Sequence, residues 1–101
     1  MEEIPIVCTL NDEEFREREK TILNAVKKSV SVTEETREGY RFRFPSNDAT
    51  YNALHEFIDL ERRCCPFLDF RLTVPRGEGD LVLELSGPNG AKEFIAAHFR
   101  P

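Results

Sequence analysis

Two cysteines stand side by side at Cys64 and Cys65, directly before Pro66, and a glutamate precedes them at Glu61. Thiolates are soft ligands that select Zn(II), Cu(I) or heavier thiophilic ions. Three sulfurs and one carboxylate are enough for a tetrahedral shell, and a third cysteine, Cys8, lies near the start of the chain. The expected metal set is therefore Cys64, Cys65 and Cys8 with Glu61, holding an ion such as zinc or mercury. The spacing is not that of a zinc finger, since there is no C-x-x-C and no Cys/His pair at finger distances. His55 precedes Cys64 by nine residues, roughly 13 Å along a helix at about 1.5 Å per residue. His98 joins the set only if the last helix packs nearby.

The same thiols have two other readings. Reactive cysteines are usually activated at helix N-termini, where the dipole favours thiolate. Cys64 and Cys65 instead close a helix, where the dipole opposes it, so a thiol oxidoreductase ranks below metal binding. Free cysteine is also among the most buried residue types and packs as a small hydrophobe. On that reading the protein is a non-enzymatic interaction or dimerisation domain with cysteines in its core.

The elements that must position these residues follow from periodicity. Ile4, Ile6, Cys8 and Leu10 alternate as a half-buried strand. Asn11 or Asp12 caps a helix to Lys28, with Phe15, Ile22, Leu23 and Val26 as its apolar stripe. Val30 to Thr36 and Tyr40 to Phe44 form a hairpin about Glu38-Gly39. Tyr40, Phe42 and Phe44 face one way; Arg41 and Arg43 face the other. Asn47 and Asp48 start a second helix, which Pro66 ends near Cys65. Phe70 to Val74 and Leu81 to Leu85 are strands, and Gly87-Pro88-Asn89-Gly90 opens a last helix through Phe94, Ile95 and Phe99. The order β-α-ββ-α-ββ-α predicts a single α+β domain over residues 1–101, with a mainly antiparallel sheet of four or five strands and three helices on one face.

Within the second helix Glu61 falls three residues after Ile58 and four before Cys65, on the apolar stripe with Leu54 and Phe57. A carboxylate there costs free energy unless it is paired or solvated in a cleft, and Arg62, Arg63 or a base from a facing element are the expected partners.

The segment Glu61-Arg62-Arg63-Cys64-Cys65-Pro66-Phe67-Leu68, followed by Gly87-Pro88-Asn89-Gly90-Ala91-Lys92-Glu93-Phe94, resembles a family of small, poorly characterised bacterial proteins. Its members share an E-x-x-C-C-P-F segment and a later G-P-x-G-x-x-E-F segment, and the family is associated with heavy-metal resistance contexts. The resemblance spans roughly the C-terminal half. It implies weight for Glu61, Cys64 and Cys65 and brings no established activity.

Composition narrows the classes. A net charge of -5 and pI of about 5.1 make broad attraction to nucleic acid or anionic lipid unexpected. Arg41, Arg43, Arg62, Arg63, Arg71 and Arg76 form at most a local basic patch. Met1-Glu2-Glu3 offers no basic leader and no long apolar run follows, so no signal peptide or membrane span is expected. An odd cysteine count argues against a disulfide framework, and the expectation is a reduced cytoplasmic protein. Phe-rich strands predict a homodimer that covers apolar sheet area.

Overall fold

The computed structural model describes residues 13–100. Within them the chain runs α1 (Glu13–Ser29), β1 (Val32–Glu35), β2 (Gly39–Phe44), α2 (Asp48–Cys64), β3 (Asp69–Thr73), β4 (Leu81–Ser86) and α3 (Ala91–His98). The strands form one antiparallel sheet in the order β1-β2-β4-β3. The α+β class, the three helices and the antiparallel sheet are those the patterning predicts. The expected strand from Ile4 to Leu10 lies outside the described residues.

Alternation decides which side of the sheet is covered. Tyr40, Phe42 and Phe44 of β2 and Leu81, Leu83 and Leu85 of β4 are buried in one cluster with Leu54, Phe57 and Ile95 from the helices. On the opposite side, strand register lines up Glu34, Arg41, Glu84 and Arg71 as a row of alternating charge across all four strands. Arg43 donates to Glu34 at 2.8 Å and Arg41 stands 3.9 Å from Glu84. Two of the arginines read as a possible basic patch, Arg41 and Arg43, thus stand against carboxylates, as expected of a solvated sheet face.

The hairpin closes where Thr36 N–H donates to the Gly39 carbonyl at 2.9 Å. Gly39 is required by proximity: a Cβ there would lie 1.8 Å from the Leu85 carbonyl oxygen. Gly90, at φ 97°, starts α3 in a conformation that favours glycine. From α3, Lys92 donates to the Thr36 carbonyl at 2.9 Å and pairs with Glu35. Lys92 and Arg100 lie over the Tyr40 ring, at 5.9 and 5.4 Å from its centroid.

The position of α2 is set at its first turn. Asn47 is extended, and its Oδ1 accepts the Thr50 N–H at 2.8 Å, satisfying a donor the helix cannot. Asn47→Ala should cost about 1 kcal/mol, read as a lower urea midpoint with an unchanged slope. An unaltered midpoint would show that packing alone fixes the helix start.

Candidate metal centre

The stripe of α2 buries Leu54, Phe57, Leu60, Glu61 and Cys64. Three and four residues separate the members that matter: Phe57 to Glu61 is one turn, Glu61 to Cys64 slightly less. The helix then stops. Pro66 disfavours helical geometry at the residue before it, and Cys65 leaves the helix at φ -122°, ψ 70°. Its N–H still donates to the Glu61 carbonyl at 2.6 Å, and the Leu68 N–H donates back to the Cys65 carbonyl at 3.1 Å. This turn keeps Cys65 over Glu61 instead of letting it swing away.

Glu61 and Cys65 are each only 1% exposed. The Cys65 Sγ–H donates to Glu61 Oε2 at 3.6 Å, while Glu61 Oε1 is buried and makes no hydrogen bond among the described residues. The ligand atoms of Glu61, Cys64 and Cys65 all lie within 4.8 Å of one another. Sequence reasoning thus named three residues that the fold brings together. Cys8, the fourth, lies outside the described residues.

Two expectations need correction, and a third, conditional on how the last helix packs, is met. Arg62 and Arg63 do not pair with Glu61: both turn to Asp59, at 2.8 and 3.3 Å, because long side chains at the wet edge of the stripe reach a solvated carboxylate more cheaply than a buried one. The Arg62 hydrogen bond holds the Asp59 carboxyl below its usual range. Nor is every thiol reduced. Cys64 is disulfide-bonded, whereas Cys65 is free, so the two neighbours are not joined to each other. An odd count excludes complete pairing but leaves room for one bridge. Finally, His98 does approach the site. It borders the same cleft, with its exposed ring against Phe94 at 4.1 Å between centroids.

That cleft, of about 490 Å³, is lined by Glu61, Cys64 and Cys65, by Arg16, Glu19, Lys20 and Leu23 of α1, and by Phe94, His98 and Phe99 at the α3 end. Glu19 was missed in the sequence, although the signal was present: it falls four residues after Phe15 and three before Ile22, on the inward stripe of α1. Burial, and then the Glu19 carboxyl beside it, push Glu61 up to about 9, with the Cys65 thiol acting weakly the other way. Burial, followed by the charge of Glu61, pushes the Cys65 thiol up as well. A thiol held protonated is a poor nucleophile, which counts against redox catalysis at Cys65. A bound cation reverses this order, since its charge deprotonates a coordinating thiol. The cluster is therefore costly when empty of positive charge and suited to receiving it.

Compared with family models, with curated proteins and with solved structures, the chain matches none. Among the described residues no helix is long and apolar enough to cross a membrane.

Proposed function

We propose that this domain, in its reduced form, binds a thiophilic metal ion such as zinc or mercury through Glu61, Cys64 and Cys65. The supporting observation is the convergence of three buried ligand atoms within 4.8 Å of one another, on a glutamate whose Oε1 has no hydrogen-bond partner. Buried polar atoms are seldom left unsatisfied, and an ion would satisfy this one. The donors offer two sulfurs and an oxygen, a set compatible with Zn(II) or a heavier soft ion. One position of a tetrahedral shell is left to a facing element, and on sequence grounds Cys8 competes for it. Because Cys64 is disulfide-bonded, loading requires a dithiol reductant, which attacks the bridge, is itself oxidised to a disulfide and leaves both protein sulfurs as thiols; an oxidised chain binds poorly.

The test is thermal melting of the reduced protein with and without Zn(II) or Hg(II). At free ion one hundred times Kd, binding adds about 2.7 kcal/mol, which raises Tm by roughly 10 °C in a chain of this size. Cys65→Ser and Cys64→Ser should abolish the shift, with one equivalent of ion bound only by the wild type. An unchanged wild-type Tm, with no retained ion, removes the metal reading and leaves the cysteines as core.

A further inference from the structure

We infer that two copies of this chain associate through the open faces of their sheets, stacked about a two-fold axis that runs along the strands. The helices take the other side, where the inward residues of β2 and β4 are buried with Leu54, Phe57 and Ile95. On the outward side of the strands no side chain is buried. The pattern of charge on that unpartnered face selects its occupant.

Strand register sets Glu34, Arg41, Glu84 and Arg71 side by side on β1, β2, β4 and β3. The signs run minus, plus, minus, plus, and such a row becomes its own opposite when read from the other end. Half a turn about an axis between β2 and β4, parallel to them, reverses the strand order and keeps each row at its height. Glu34 then lies over Arg71 of the second copy, and Arg41 over Glu84 of the second copy. Symmetry repeats both contacts.

The next row, Val32, Arg43, Val82 and Thr73, fits the same axis. Val82 meets the aliphatic stem of Arg43, and Val32, 47% exposed in the single chain, is covered at Thr73. Arg71 makes no ion pair among the described residues, and Glu34 of the second copy supplies one. A nucleic-acid backbone fits this face poorly, since a run of phosphates needs a run of positive charge. The face is small and polar, which places the dimer among weak, transient associations, and its half-exposed charges make it sensitive to salt.

The experiment is sedimentation of the full chain from low micromolar to millimolar concentration, at low and high salt. Wild type should pass from monomer to dimer, and salt should oppose the change. Arg71→Glu and Glu34→Arg each bring like charges together twice per dimer. Each should keep the wild-type circular dichroism and weaken self-association by more than about tenfold. An equimolar mixture of the two variants should dimerise to within about threefold of wild type, because the introduced acid then faces the introduced base. Positions 34 and 71 lie on opposite edge strands of one chain, so this rescue arises only between chains. A wild type that stays monomeric, a variant that dimerises as wild type does, or a mixture that stays monomeric overturns the proposal. So does a species larger than two copies, since pairing of the β1 edge with a β3 edge does not close.

Discussion

Glu61→Gln should stabilise the metal-free protein, and by more at pH 8 than at pH 5. The free carboxyl of glutamate titrates near 4.5, and in the fold Glu61 is pushed up to about 9. Below 4.5 both states carry the proton and the burial of Glu61 has no titration cost. Above it the unfolded chain releases the proton while the folded chain retains it, so stability falls as pH rises, until the folded state also ionises near 9. The slope for one such group is about 1.4 kcal/mol per pH unit, lessened here by the interaction of Glu61 with the neighbouring Cys65 thiol. Glutamine cannot ionise and removes this slope. Urea melts in the presence of a chelator at pH 5, 6, 7 and 8 should show the wild-type midpoint falling and the variant nearly level. Parallel decline in the two proteins would mean that Glu61 is solvated in the fold. On the proposed metal reading the same substitution also removes a ligand, so a tighter fold and a weaker site would go together.

Phe57→Ala should bring the chain close to unfolding. Phe57 is 1% exposed and meets Phe99 edge-to-face, with centroids 5.7 Å apart at 85°. Removing a buried phenyl ring costs about 3–5 kcal/mol, a large share of the roughly 5–15 kcal/mol that stabilises a typical domain. Near-ultraviolet dichroism and urea titration measure the loss. A cost below about 1 kcal/mol would show that the region around α2 and α3 repacks freely. The ring lies one helical turn before Glu61, so the same contact that holds the core also sets the height of the carboxylate above the sheet.

Much of this was legible in sequence because it rests on local rules. Alternation from Tyr40 to Phe44 gave the strand and its covered face, and Asn47 with Pro66 bracketed α2 to within a residue. Glu61 stood out because helical spacing put a charge where the stripe demanded an apolar residue. The same arithmetic applied to α1 marks Glu19, which passed unnoticed among the many acidic residues near it. What stayed hidden depends on distant parts of the chain. The choice of Asp59 by Arg62 and Arg63 turns on relative burial, the bonding of Cys64 on tertiary placement, and the approach of His98 on how α3 closes over the sheet.

The Tyr40 ring beneath Lys92 and Arg100 has an optical consequence. The chain has no tryptophan and two tyrosines; Tyr40 is 7% exposed, whereas Tyr51 on the outer side of α2 is 42% exposed. One chromophore is therefore sealed under α3 and bracketed by two cations, and the other samples bulk water. Their absorption and emission differ without any label, and the signal of Tyr40 reports directly whether α3 is seated on the sheet.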